Sequence, residues 1–179
     1  YIDDSRLNDL KTGYWNVYTW YRICLPSLLP TGIKKVLYLD ADTLIVGSIE
    51  TLFEIEMDNF AVAGCLDPQT YQKETFLRCG YDSAKQYICA GVLLMNLDYW
   101  REHHLTDALI QYAIDNKDTI KFPDQDSINV VCQDCKIVLP LKYGIMDSIF
   151  RYELGGKNAS MFCDSLLNPA IVHFAANPP

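Results

Sequence analysis

Apolar positions along the chain follow two different periods. Val17, Tyr21, Cys24, Leu25 and Leu28 recur at three- and four-residue steps, which is the spacing of one helix face. Pro26 falls inside that face and predicts a kink or split there, because its ring removes a backbone donor. Leu105, Ala108, Leu109, Tyr112 and Ala113 repeat the helical spacing over 105–114. Asp124 to Val131 reads as another helix, with Asp124 as its N-cap after Pro123. Short apolar runs at 35–39, 60–66, 92–97, 136–139 and 170–174 have the length and composition of strands. Strands alternating with helices predict an α/β sheet whose ligands bind at the strand carboxyl ends. The polar and aromatic stretch from Asp67 to Gln86 predicts a long loop on the substrate side.

The segment Lys35-Val-Leu-Tyr-Leu-Asp-Ala-Asp-Thr-Leu-Ile-Val46 adds chemistry to this pattern. An apolar strand ends in two carboxylates one residue apart, so in an extended chain Asp40 and Asp42 project to the same face. Two like charges there repel unless a cation lies between them, and all-oxygen ligation suits a hard divalent ion such as Mg²⁺ or Mn²⁺. The alternative is a pair of solvated aspartates in a turn after a buried strand. Two enzyme classes place Asp-x-Asp after an apolar strand. Haloacid-dehalogenase-like phosphatases use Asp-x-Asp-x-Thr, but here Thr43 follows Asp42 directly, one position too early, and no later Gly-Asp-x-x-x-Asp cluster follows. The other class comprises metal-dependent glycosyltransferases that use nucleotide sugars.

Three further segments decide between them. Cys89-Ala-Gly-Val-Leu-Leu-Met-Asn-Leu-Asp-Tyr-Trp-Arg101 is an apolar strand running into a short helix. Phe122-Pro-Asp-Gln-Asp-Ser-Ile-Asn129 gathers acidic and amide side chains at a helix start, and Ala170-Ile-Val-His-Phe174 is a short strand carrying one histidine. In this order, with Arg22 in the upstream Tyr-x-x-Tyr-Arg-Ile-Cys-Leu-Pro helix, the set resembles glycosyltransferase family 8 from about Trp20 to His173. That family includes bacterial lipopolysaccharide galactosyl- and glucosyltransferases and the glycogenins. The resemblance implies a GT-A-type α/β domain, a mixed sheet flanked by helices, spanning residues 1–179 as a single unit. It also implies that the first βαβ unit, which holds the uridine and needs about 30 residues, is missing: only 39 residues precede Asp40. The chain therefore reads as an N-terminally truncated piece of the family domain, lacking the C-terminal tail as well.

The resemblance also assigns roles. Asp40, Asp42 and His173 match the metal ligands, an O/O/N set that suits Mn²⁺ or Mg²⁺. Arg22, Asp67, Asp40, Ala41, Asp42, Asp124 and Gln125 match the donor-binding positions, and Gln125 and Asp124 lie beside the anomeric carbon. A core histidine, an Asp-Pro turn at Asp67 and a capping Asp124 are the structural alternatives for three of these. His103 and His104 read as exposed. Two positions depart from the family pattern. Cys89 stands where Asn commonly contacts the sugar, and Ala175-Ala-Asn-Pro-Pro179 lacks the Gly and Lys that grip the diphosphate.

Composition narrows the partners. The 179 residues are 50% hydrophobic, enough for one domain with a sizeable core. A net charge of −8 with no basic stripe excludes nucleic acid as a main partner. No run reaches 18 apolar residues, so the sequence predicts no membrane span and leaves peripheral contact through absent segments open. Seven cysteines without a regular framework predict reduced thiols and a cytoplasmic enzyme. Cys132-Gln-Asp-Cys135 has metal-ligand spacing but no second pair, and Asn158-Ala-Ser160 is a glycosylation sequon without a secretory context. The expectation is a retaining, metal-dependent hexosyltransferase that moves glucose or galactose from a UDP-sugar to a saccharide or lipopolysaccharide acceptor. Its alternative is a non-catalytic sugar-nucleotide-binding module or inactive fragment. Donor sugar, acceptor and oligomeric state are left open.

Overall fold

The computed structural model describes residues 5–13, 15–146 and 165–175. Its centre is the long strand β4 (Ile88–Asn96), buried at every position but the last. It lies between β1 (Lys35–Leu39) and β3 (Val62–Leu66), antiparallel to both, and β3 pairs in parallel with β5 (Lys136–Leu139). A second sheet joins β2 (Thr43–Ile45), β7 (Ile171–His173) and β6 (Ile145–Met146), with β2/β7 antiparallel and β6/β7 parallel. The continuous apolar reading of β4 follows from burial on both faces. Leu93 and Met95 pack into a core with Trp20, Ile23, Leu109 and Ile128, whereas Val92 and Leu94 face Leu52, Leu139 and Ile171. The period of two along one strand thus separates a helix-covered face from one covered by the second sheet.

The helices fall close to their expected places. A 3₁₀ helix over Val17–Cys24 passes into the short α1 (Leu25–Leu28), with Pro26 in the first turn of α1, where its missing donor costs nothing. α4 (Leu97–Glu102) starts at Asn96, whose side chain accepts from Tyr99 N at 3.1 Å. α5 (Leu105–Asp115) packs on α6 (Pro123–Val131), and α6 lies against β4. Several expectations are corrected. The cap of α6 is Phe122, without a side-chain cap bond, so Asp124 lies inside the first turn and its carboxylate is used elsewhere. The segment after Asp67 is not a plain loop, because it contains α3 (Lys73–Cys79), closed by Gly80 in the left-handed region. The fourth strand starts at 88 rather than 92. The turn α2 (Glu50–Phe53) and the two-residue strand β6 had no periodic signal to announce them.

Among the described residues no helix is long and apolar enough to cross a membrane. Among them, too, β1 has a partner on one edge only, although its five residues are all half-buried.

Candidate functional site

The carboxyl ends of β1, β3 and β7 and the first half of β4 lie at one end of the molecule. At the end of β1, Asp40 N donates to Gly91 O at 2.8 Å, and Thr43 closes the turn by donating its amide (3.2 Å) and hydroxyl (2.8 Å) to Asp40 O. Ala41 is exposed at the tip of that turn. Asp40 Oδ1 accepts from Arg22 Nη2 at 2.8 Å and from Tyr38 OH at 2.7 Å. Asp40 Oδ2 is left facing His173 Nε2 at 3.8 Å, and Asp42 Oδ1 lies 3.2 Å from the same nitrogen. His173 reaches this place because β7 pairs it opposite Thr43 and Phe174 N donates to Asp42 O at 2.9 Å. One ligand atom from each of Asp40, Asp42 and His173 lies within 4.8 Å of the others, and no other such group of three occurs among the described residues. Gly91 makes the room: a Cβ there would fall 2.1 Å from His173 Cε1, so no side chain fits. Two carboxylate oxygens and a nitrogen, with Asp42 half-exposed at the rim, fit a hard divalent cation with positions left over for further oxygens.

Arg22 joins this group to the next one. Buried with 5% exposure, it stacks 4.4 Å from the Tyr38 ring centroid and donates Nη1 to Ala90 O. Arg22 Nε stands 3.0 Å from Asp124 Oδ2, but its N–H points at Thr19 O (3.2 Å), so charge rather than an in-line hydrogen bond holds that oxygen. The other oxygen of Asp124 accepts from the Thr19 hydroxyl. Burial pushes the Asp124 carboxyl up, opposed by the Arg22 guanidinium and the Thr19 hydroxyl. Gln125 is fixed at both ends. Its Oε1 accepts from Ala90 N at 2.9 Å and its Nε2 donates to Asp67 Oδ2 at 3.2 Å. Ala90 can offer both backbone groups to side chains because the β3/β4 register shifts between Gly64 and Leu66, which opens the ladder there. Arg22, Asp40, Asp67, Asp124 and Gln125 are therefore brought into one connected network, continuous with Asp42 and His173.

Several residues here were not singled out in the sequence. Tyr38 could have been, since it lies two positions before Asp40 and so on the same strand face. Thr19, Tyr87, Arg78 and Asn129 carry no local signal, because their partners are far along the chain. Asn129 pairs with both polar groups of Ile88, taking its N–H at 2.8 Å and donating to its carbonyl at 2.7 Å. Cys89 is buried behind His173. Its sulfur lies 3.6 Å from His173 Nδ1, and burial raises its thiol well above the ordinary range, which keeps it neutral. His103 and His104 are exposed, as expected. Cys132 and Cys135 gather no third metal-ligating side chain among the described residues. The Asn158-Ala-Ser160 sequon and the terminal 176–179 lie outside the described residues.

The arrangement has counterparts in known proteins. Glycosyltransferase GlyF of Streptococcus pneumoniae is 27% identical over 99% of the chain and 41% of its own length. A lipopolysaccharide 1,2-glucosyltransferase of Escherichia coli is 28% identical over 90% of the chain and 48% of its own length. The crystal structure of the galactosyltransferase LgtC, in complex with donor and acceptor sugar analogs, superposes with a TM-score of 0.84 at 20% identity, covering 98% of this chain and 65% of that one. The fold is thus of the GT-A type, and the chain spans about half the length of the curated relatives it matches. The family profile described as glycosyl transferase family 8 matches residues 2–178, and the chain belongs to that family.

Proposed function

We propose that the protein containing this chain is a retaining hexosyltransferase that moves glucose or galactose from a UDP-sugar to a saccharide acceptor, such as a lipopolysaccharide core. The observation that carries this reading is the convergence of Asp40, Asp42 and His173 beside the Arg22–Asp124–Gln125–Asp67 network at one end of the sheets. Asp40 through Oδ2, Asp42 through Oδ1 and His173 through Nε2 would hold a divalent ion, Mn²⁺ or Mg²⁺. When bound, such an ion supplies charge neutralisation for a departing diphosphate.

The chain's own residues do the rest. Arg22 holds the Asp40 carboxylate by one oxygen and so leaves the other to the metal position. With a cation at Nε2, the His173 proton sits on Nδ1, and the Cys89 sulfur is placed to accept it. Asp67 presents a carboxylate that suits a sugar hydroxyl, Asp124 bears on the site through Arg22, and Gln125 Oε1 keeps one lone pair beyond its bond to Ala90 N. In the transfer, the acceptor hydroxyl oxygen bonds to the anomeric carbon as the bond to the diphosphate oxygen breaks. The electron pair of that bond leaves with UDP, and the hydroxyl proton passes to a departing phosphate oxygen.

Attack from the same face as the leaving group is favoured over a covalent intermediate on Asp124 or Asp126. Asp124 is held between Arg22 and Thr19, and Asp126 is wholly buried among donors. Cytoplasmic placement is also proposed, supported by the thiols of Cys65, Cys79, Cys89 and Cys132, which are buried and in no disulfide.

Incubating the full-length protein with a panel of UDP-hexoses and Mn²⁺, and following the anomeric configuration of the product by NMR, tests the reading. Transfer with retention is the expected result, while inversion or no turnover overturns it. Tight binding without turnover would instead favour a sugar-nucleotide-binding module.

A further inference from the structure

Behind the network lies a second charged cluster that none of the roles above uses. Asp126, one residue beyond Gln125 on α6, is completely buried. Its Oδ2 accepts from Lys121 N (2.8 Å), from Phe122 N (2.9 Å) and from Arg78 Nη1, while Oδ1 accepts from Tyr87 OH (2.7 Å) and Arg78 Nη2 (3.0 Å), with Cys79 Sγ at 3.5 Å. A carboxylate offers about four lone-pair directions, so these donors use all of its capacity. Tyr87 is equally buried, and its backbone carbonyl accepts from Asp67 N at 2.9 Å.

These bonds close a ring. Asp67 N donates to Tyr87 O, Tyr87 OH to Asp126 Oδ1, Asp126 follows Gln125 in the chain, and Gln125 Nε2 returns to Asp67 Oδ2 at 3.2 Å. Helix stability alone does not require such closure, since Arg78 and the two backbone amides already satisfy the Asp126 charge. The ring instead fixes the distance between two groups on different elements, the Asp67 carboxylate after β3 and the Gln125 amide on α6. Tyr87 is the strut, reaching one of them through its backbone and the other through its ring. In a buried, low-dielectric setting such a closed set of bonds is stiff.

We propose that Asp126 and Tyr87, anchored by Arg78, are positioning residues that hold the Gln125 amide and the Asp67 carboxylate in one fixed relation around the transferred sugar, a role that rests on the transferase reading above. They touch no substrate, because neither is accessible. Their effect falls on the transition state, where misplacement by a fraction of an ångström is costly.

The decisive variant is Tyr87→Phe in the full-length protein, which removes one hydroxyl and leaves every backbone bond. Ile110→Val in α5, buried and with no part in the ring of bonds, serves as a control of comparable small destabilisation. The expected result is a kcat about 10-fold lower for Tyr87→Phe with donor KM within about two-fold, and wild-type kcat for Ile110→Val. An unchanged kcat, a KM rise at constant kcat, or the same kcat loss in Ile110→Val overturns the proposal. If the wild-type protein turns over no UDP-hexose, the transferase reading falls, and positioning is then judged by amide hydrogen exchange at Ala90, whose N–H is held by Gln125. Exchange about 10-fold faster in Tyr87→Phe supports the role, and unchanged exchange overturns it.

Discussion

Two groups of carboxylates, far apart in sequence and joined through Arg22, are neutralised in opposite ways. Asp124 and Asp126, on α6, are each buried against an arginine of the same chain, Arg22 at 3.0 Å and Arg78 in a forked contact. Asp42, at the rim, has no lysine or arginine against it among the described residues, only His173 at 3.2 Å. Asp40 stands between the two regimes, with one oxygen on Arg22 and the other turned to His173. Burial explains the first group: an unpaired charge in the interior costs several kcal/mol, so the chain must bring its own partner. Exposure permits the second, since water screens the repulsion until a cation arrives. A carboxylate completed by its own chain is architecture, and one left facing a histidine and another carboxylate is built for something external.

The largest expected effect separates the two groups by activity. In the full-length protein Asp42→Ala should lower turnover by about 10³-fold or more, roughly 4 kcal/mol, because the cation it holds acts on the leaving group. Asp42→Asn should be nearly as damaging, since it keeps the shape and loses the charge. Thermal stability should barely move, and the upward shift of Tm that Mn²⁺ gives the wild type should disappear. Near-normal turnover of either variant with Mn²⁺ present would contradict the metal-assisted mechanism. Asp126→Ala, by contrast, should cost stability as well as turnover. Removing one partner of a buried pair leaves Arg78, Tyr87 OH and two backbone amides without their acceptor, and stability should fall by about 3 kcal/mol. Denaturant unfolding measures this, and a loss under about 1 kcal/mol would break the comparison.

How much of this was readable beforehand also divides along that line. The rim group was largely legible, because strand-like runs marked both β1 and β7, but Asp40 and Asp42 come together through the turn that Thr43 closes after β1 and not through the alternation of an extended strand. That His173 meets them depends on the pairing of β2 with β7, which no local pattern encodes; family resemblance supplied it. The buried group was only half legible. Asp124 looked like a helix cap because Asp near Pro at a helix start usually is one, yet α6 begins a residue before it and the carboxylate turns inward to Arg22, some hundred residues away in sequence. Arg78 lay in what looked like a polar loop, since α3 is only seven residues long and too short for a periodic signal, and Tyr87 stands just beyond the end of that loop. Long-range charge pairing is a tertiary event, and the single sequence carries no period for it.

A third prediction tests the member of the network that carries no charge. Gln125 is held by Ala90 N and Asp67 Oδ2 and lies between the two carboxylate groups. Gln125→Ala should lower kcat by about 10²-fold, about 2.7 kcal/mol, with little change in donor KM, because positive charge builds at the anomeric carbon only as the diphosphate leaves. Steady-state kinetics reads this directly. A KM rise at constant kcat would assign Gln125 to ground-state binding instead, and a protein that only binds would lose no more than about 1 kcal/mol of affinity.

The smallest effect concerns the reverse case, a half-buried cation with no carboxylate in salt-bridge contact among the described residues. Lys136, at the start of β5, donates to Asn129 Oδ1 at 3.0 Å and lies 5.2 Å from the Tyr81 ring centroid. Burial pulls its ammonium down to about 8, against the opposing pull of the Cys132 and Cys135 thiols and Asp134. The folded value lies below the ordinary 10.5, so between about pH 8 and 10.5 the unfolded chain binds more protons than the folded one. Stability therefore rises with pH through that window from this residue, whereas below pH 8 both states are protonated and its cost is constant. Partial solvent access discounts the total to about 1 kcal/mol. Lys136→Met removes the titration, so the difference in unfolding free energy between wild type and variant should shift by that amount in favour of the wild type from pH 8 to 10. A difference that stays flat would mean that Asn129 and the Tyr81 ring hold the ammonium as well as a carboxylate would, and that the rule drawn from Asp124 and Asp126 does not extend to cations.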